Sequence, residues 1–264
     1  MVEWIAYIGL GLFAGFVAGL LGVGGGLIIV PVLTFIFAAH HFPESYVVHL
    51  ALGTSLASIA FTSISSFRAH HAHGAVNWKI WREVTPGIIT GTLLGSVLAA
   101  HLSTHFLKVF FVVFLFYVGT QMILDIKPKA ARDLPGLPGM FGAGNVIGAV
   151  SSLVGIGGGT LSVPFMTWCN VKLHQAIGTS AAIGFPIAVA GTVGYIANGM
   201  RIEGLPEHSL GFVYLPALAA IAVASVLTAP FGAKVAHRLP VKKLKKIFAV
   251  LLYTLGVRMA WSLF

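Results

Sequence analysis

The chain has 264 residues, 57% of them hydrophobic and only 9% charged, with a formal net charge of +9 at pH 7. A soluble domain carries about 25% charged residues, so a soluble enzyme is excluded; recurring apolar runs of about 18 or more predict a polytopic helical membrane protein. The basic excess points to loops facing anionic lipid rather than to nucleic acid, since no basic patch with interleaved aromatics occurs.

The chain opens Met1-Val-Glu-Trp with no Lys or Arg before the first apolar run, which argues against a cleaved secretory signal. The first apolar stretch, 4–39, carries Gly22-Val-Gly-Gly-Gly-Leu-Ile-Ile-Val-Pro31 in its middle. As one helix it would be roughly 45–55 Å long against a ~30 Å hydrocarbon core. Two shorter helices meeting at Gly24–Gly26 are expected instead, with Pro31 kinking the second. Spans follow at 46–69, 84–103 and 106–126. The segment Lys127-Pro-Lys-Ala-Ala-Arg-Asp-Leu-Pro-Gly-Leu-Pro-Gly139, rich in charge, Pro and Gly, reads as a linker. A second glycine-broken stretch, 140–170, carries Gly155-Ile-Gly-Gly-Gly-Thr-Leu-Ser-Val-Pro164 and breaks at Gly157–Gly159. Spans at 174–197, 210–236 and 244–263 complete the chain. Cys169 is the only cysteine, so no internal disulfide forms.

Three ordered matches show that the chain is built twice. The glycine motifs agree at six of ten positions, offset by 133 (155 − 22). His49-Leu-Ala-Leu-Gly-Thr-Ser-Leu-Ala57 agrees with His174-Gln-Ala-Ile-Gly-Thr-Ser-Ala-Ala182 at six of nine, offset by 125 (174 − 49). Residues 107–122 agree with 244–259 at seven of sixteen, offset by 137 (244 − 107). The fold class is therefore an all-α membrane protein of two repeats, each a glycine-broken helical hairpin plus three transmembrane helices. Repeat 1 covers 1–126, a cytoplasmic linker 127–139 and repeat 2 140–264, in one transmembrane domain.

Loop charge sets the expected orientation. Arg68, Lys79 and Arg82, then Lys127, Lys129 and Arg132, then Lys234, Arg238, Lys242, Lys243, Lys245 and Lys246 mark three cytoplasmic segments. The loop at 101–107 lacks Lys and Arg, and that at 198–209 sets Arg201 against Glu203 and Glu207, so both belong outside. For these to hold, each glycine element must start and end on the same face, as a re-entrant hairpin or two short crossings. Both termini then lie outside, and the repeats are inverted about an axis in the membrane plane.

A helix starting just after a glycine turn offers unpaired N–H groups and the positive end of its dipole, and glycine lets a ligand approach the backbone. Two such starts, Gly24, Gly25 and Gly26 and then Gly157, Gly158, Gly159 and Thr160, brought together by the two-fold would bind a small anion. Thr54, Ser55, Thr179 and Ser180 could add hydroxyl donors, and their Gly-Thr-Ser triplets are candidates for interrupting the second span. Close packing by small residues is the competing reading. Three consecutive glycines exceed what packing needs; for the Gly-Thr-Ser pair both readings stand.

All seven carboxylates, Glu3, Glu44, Glu83, Asp125, Asp133, Glu203 and Glu207, fall at span ends or in loops, which favours an anionic or neutral solute over a cation. Arg68 and Arg258 come nearest to intramembrane cations; Arg258 either lines the anion path or snorkels to the interface, and snorkelling is favoured. His70-His71-Ala-His73 lies beside a basic loop without a completing Cys or carboxylate, so it reads as a loop histidine run and no metal or other cofactor is expected. His49 and His174, at matched positions, fall at opposite faces and suit capping or interface roles. No phosphate loop, nucleophile elbow, zinc-protease motif or Cys pair is present, so the chain does not read as an enzyme.

Gly19-Leu-Leu-Gly-Val-Gly-Gly-Gly26 with Pro31, the doubled Gly-Thr-Ser at 51–55 and 176–180, and His70-x-x-x-Gly74-Ala-Val-Asn-Trp78 together resemble the sulfite exporter TauE/SafE family over nearly the full length. The resemblance implies export of a small sulfur-containing anion, such as sulfite or an organosulfonate like sulfoacetate, across the bacterial inner membrane. Without a nucleotide-binding domain the transport would be secondary. The runner-up is a transporter or channel for another small oxyanion or a metabolite, and a non-transporting scaffold ranks last. The expected partners are the anion and the bilayer, with room for a homodimer.

Overall fold

The computed structural model describes residues 2–22, 24–124, 132–238 and 241–263, with the backbone alone at residue 2 and at 237, 238 and 241–245. Among them the order is α1 (Val2–Leu21), α2 (Gly26–Ala39), α3 (Val47–Ala72), α4 (Trp78–His101), α5 (Thr104–Leu124), α6 (Leu137–Val154), α7 (Gly159–Trp168), α8 (Leu173–Gly199), β1 (Ser209–Leu210), β2 (Val213–Tyr214), α9 (Leu215–Arg238) and α10 (Val241–Trp261). Seven helices, α1, α3, α4, α5, α6, α8 and α9, are long and apolar enough to cross a membrane. The chain is a multi-pass membrane protein whose lipid-side residues, such as Leu94, Val223 and Phe231, are large and exposed.

Small residues set the packing. Gly11, Gly15 and Gly19, one turn apart on α1, have no room for a Cβ because the α9 backbone at Ile221, Ser225 and Ala229 lies against them. Gly144 and Gly148 of α6 meet Val84 and Ile88 of α4 in the same way, and Gly87, Gly91 and Gly95 of α4 meet Phe141, Asn145 and Ala149. This is the close approach that small residues spaced four apart permit between membrane helices. The residue numbers rise together in both pairs, so α1 runs parallel to α9 and α4 parallel to α6.

α3 and α8 cross at the centre. Gly191 meets Leu56, Gly184 meets Ser63 and Gly53 meets Tyr195, so these two run antiparallel. α5 and α10 also pair antiparallel, with Gly119 against Tyr253 and Gly256 against Phe116. Each half thus lends its first helix to the other, and neither half completes its own packing.

The glycine motifs do separate each stretch into two shorter helices, α1 (20 residues) and α2 (14), then α6 (18) and α7 (10), with α1 and α6 still long enough to span. The left-handed glycines lie between the two helices of each pair. Several expectations need correction. Both Gly-Thr-Ser triplets continue α3 and α8 without interruption, because Ser and Thr hydroxyls tolerate a helix interior when bonded elsewhere. The first residues of the predicted span 210–236 form the β1–β2 ribbon, turned by Gly211 at φ 54°, and α9 starts at Leu215. α6 begins at Leu137, inside the predicted linker, with Pro138 in its first turn. α10 is not among the seven candidate spans; Lys245, Lys246 and Arg258 fall within the predicted 244–263. Asp125, Lys127 and Lys129 lie outside the described residues, as do the side chains of Arg238, Lys242, Lys243 and Lys245.

Candidate functional site

Each half has a backbone break built by glycine. Gly22, Gly24 and Gly25 have φ of 67°, 80° and 80°; Gly155 and Gly158 have 66° and 76°. These are left-handed conformations that cost a residue with a Cβ about 1–2 kcal/mol. Gly25 and Gly158 are the N-caps of α2 and α7, and neither helix start has a side-chain cap. The first N–H groups of both helices therefore lack side-chain acceptors where their positive dipole ends lie.

The two breaks touch. A Cβ placed on Gly24 would lie 3.0 Å from Cα of Gly157, and one placed on Gly26 would collide with the Gly155 carbonyl. Beside them, Ala18, Gly22, Gly24, Ser63, Ser66, Ala181 and Gly184 enclose a cavity of about 10 Å³, room for a single water. His40 Nδ1, past the end of α2, lies 3.4 Å from Glu3 near the start of α1. The Arg132 guanidinium, just before α6, lies 5.1 Å from the Trp168 ring that ends α7.

The four predicted hydroxyls lock the halves together. Ser55 Oγ donates to the Gly155 carbonyl at 2.8 Å, and Ser180 Oγ donates to the Gly22 carbonyl at 3.0 Å. Thr54 Oγ1 accepts from the Tyr214 N–H at 2.9 Å, and Thr179 Oγ1 accepts from the Asn77 N–H at 2.8 Å. Each bond is the counterpart of the other under the repeat offsets. Every one runs between halves, and all four side chains are fully buried.

A second group of hydroxyls was not legible as a site. Ser66, Thr92, Ser151, Ser152, Thr160 and Ser162 are all 5% exposed or less, and their hydroxyls have no hydrogen-bond partner among the described residues. Of these only Thr160 was predicted. Ser151 Oγ lies 3.4 Å from the space a Cβ on Gly158 would take, so it faces the second break.

The remaining candidates lie elsewhere. Arg258 is exposed, its guanidinium 4.8 Å from the Phe35 ring, in the wall of an open groove of about 890 Å³ between α2, α5 and α10. The histidines do not form a loop run: His70 and His71 belong to the last turn of α3 and His73 caps it. His70 Nε2 donates to the Gly19 carbonyl at 3.0 Å, His73 bonds to Ala69 and His71 accepts from the Trp78 indole. His49 and His174 are not equivalent: His49 is 2% exposed, bonded to the Ala99 carbonyl and packed on Phe212, whereas His174 is exposed.

The family model for the sulfite exporter TauE/SafE matches residues 7–259. A probable membrane transporter protein of Haemophilus influenzae is 38% identical over 251 residues, covering 94% of this chain and 95% of that protein. Proteins described in the same words come from Methanocaldococcus jannaschii, 26% identical over 97% of both chains, and from Bacillus subtilis, 29% identical over 88% of this chain and 89% of that protein. No solved structure matches the chain. Built of apolar spanning helices around a glycine-lined centre, the chain is a membrane transporter, not an enzyme, and it belongs to the sulfite exporter TauE/SafE family.

Proposed function

We propose that the chain is a secondary transporter that exports a small sulfur-containing anion, sulfite or an organosulfonate such as sulfoacetate, from a bacterial cell across its inner membrane. The observation that carries this reading is the contact of the two breaks, where two glycine-capped helix starts, each offering amide hydrogens, lie back to back. Anion binding at such starts follows from their unpaired N–H groups and positive dipole ends. The solute would bind at Gly24, Gly25 and Gly26 and at Gly157, Gly158, Gly159 and Thr160, with Thr54, Ser55, Thr179 and Ser180 bracing that site. Arg258 would stay at the interface.

Three further features support inverted, re-entrant repeats. The matched helices α3 and α8 run antiparallel, so the axis that exchanges them is perpendicular to both and lies in the membrane plane. Glu3 meets His40 and Arg132 meets Trp168, so each broken pair returns to its own face. The parallel pairs bring the ends of α3 and α9 and the starts of α4 and α6 to one end, which gathers Arg68, Lys79, Arg82, Arg132 and Lys234. That end would face the cytoplasm and both termini the outside.

We read the conformation as closed at the breaks, because the cavity beside them, about 10 Å³ among the described residues, is too small for sulfite. Transport then requires the breaks to part, first toward one face and then toward the other. The membrane potential would drive an anion out of a cell that is negative inside by about 2.3 kcal/mol per charge per 100 mV. Purified protein in sealed liposomes, loaded in turn with sulfite, sulfoacetate, thiosulfate and sulfate, should release sulfite or the sulfonate faster than protein-free liposomes. Release of none of the four would overturn the reading.

A further inference from the structure

Two groups stand out among the buried hydroxyls of the helices, beside those such as Ser58, Thr62, Ser96 and Ser225 that bond within their own helices. Thr54, Ser55, Thr179 and Ser180 occur in both halves, and each bonds to backbone of the opposite half. The six without partners have no hydroxyl at the matched position. Ser66 answers Gly191, Thr92 answers Ala229, Ser151 answers Ala18, Ser152 answers Gly19, Thr160 answers Leu27 and Ser162 answers Ile29. The fold needs none of these hydroxyls, because its own two-fold counterpart builds the same backbone without them. A buried hydroxyl with nothing to bond is a cost the chain carries.

Their positions follow the membrane normal. Ser66 lies near the end of α3, one turn from His70, in the wall of the cavity at the first break and toward the basic end. Thr160 sits at the start of α7, and Ser151 faces Gly158 across the second break. Ser152 and Thr92 lie beyond it, toward the opposite end, where Ser152 packs on Gly95 and Thr92 on Gly148. Beyond these the aromatic side chains of Tyr46, Tyr195 and Phe212 close that end around His49.

Resting on the function proposed above, we infer that these unmatched hydroxyls line the route of the anion: Ser66 on the basic side of the breaks, Thr160 and Ser151 at them, and Ser152 and Thr92 beyond. A hydroxyl left free in the closed state can donate to an oxyanion when the helices part, which a hydroxyl committed to a carbonyl cannot do. The ligand class follows: a small anion with several acceptor oxygens and no need of a fixed counter-charge.

The test uses single cysteines in a Cys169→Ser background, native Cys169 being buried. A small, negatively charged, membrane-impermeant thiol reagent is applied to each face of vesicles of known orientation. Ser66→Cys should label from the basic face, Ser152→Cys from the opposite face, and Ser55→Cys from neither. Alanine variants supply a second reading. Ser66→Ala and Ser152→Ala should leave Tm unchanged or raised, because no bond is lost, while cutting sulfite flux by about fivefold, the rate equivalent of one hydrogen bond to the moving anion. Failure of Ser66→Cys and Ser152→Cys to label, or labelling of Ser55→Cys as fast as theirs, overturns the route. So does unchanged flux in both alanine variants. Labelling does not depend on which solute moves, so a route that labels in a protein that fails to carry sulfite would count against the substrate and not against the route.

Discussion

The two glycine breaks share a backbone and differ in their walls. Gly25 and Gly158 cap α2 and α7 with nearly the same φ, 80° and 76°, yet a Cβ on Gly25 would lie 2.8 Å from the Ala14 carbonyl oxygen, while one on Gly158 would meet only the tip of the Ile187 side chain. Around the first break stand Ala18, Gly19, Leu27 and Ile29; around the second stand Ser151, Ser152, Thr160 and Ser162. Residues shared by the halves hold the scaffold, and whatever makes the two faces of the membrane unequal must reside in those that are not shared.

The largest expected effect separates the breaks themselves. Gly25→Ala adds a left-handed penalty and a collision with rigid backbone, about 2–5 kcal/mol together, whereas Gly158→Ala adds the penalty and displaces a side chain that can turn, about 1–2 kcal/mol. Thermal unfolding in detergent should therefore rank Gly25→Ala well below Gly158→Ala; equal losses would mean that the breaks are interchangeable. Next come the braces. Ser55→Ala and Ser180→Ala should each cost about 0.6–1.7 kcal/mol, the range for a hydrogen bond between membrane helices, and by equal amounts because their bonds are counterparts. A clear inequality in Tm would show that the halves are not braced alike. Smallest of all, Arg258→Gln should leave sulfite flux at the wild-type rate, since the guanidinium rests on Phe35 and faces the outer groove. A large loss of flux would bring Arg258 back into the anion path.

Much of the fold was legible because lipid imposes length and hydropathy. The spans from α3 to α5 and α8 were read within a few residues, apart from the start of α4 at Trp78, where polar Asn77 caps the helix through its side chain and extends it beyond the apolar run. The breaks at Gly24–Gly26 and Gly157–Gly159 were legible because consecutive glycines cannot continue a helix. The hydroxyls of Gly-Thr-Ser were visible as a repeat, but their partners, the carbonyls of Gly22 and Gly155, are set by the crossing of α3 and α8, which no local pattern encodes. Ser66, Thr92, Ser151 and Ser152 were missed. They have no counterpart in the other half, but neither do Ser58, Thr62 and Ser225, which are bonded, so only the packing around them sets them apart.

Sulfite efflux from liposomes carrying equal amounts of folded wild-type and Gly158→Ala protein tests the central claim most directly. If anions cross where the two left-handed turns meet, the wild type releases sulfite well above protein-free liposomes, and a single methyl at Gly158 cuts that rate at least about tenfold, as a small displacement at a binding site does. Equal rates from the two folded proteins would place the crossing elsewhere and contradict the account.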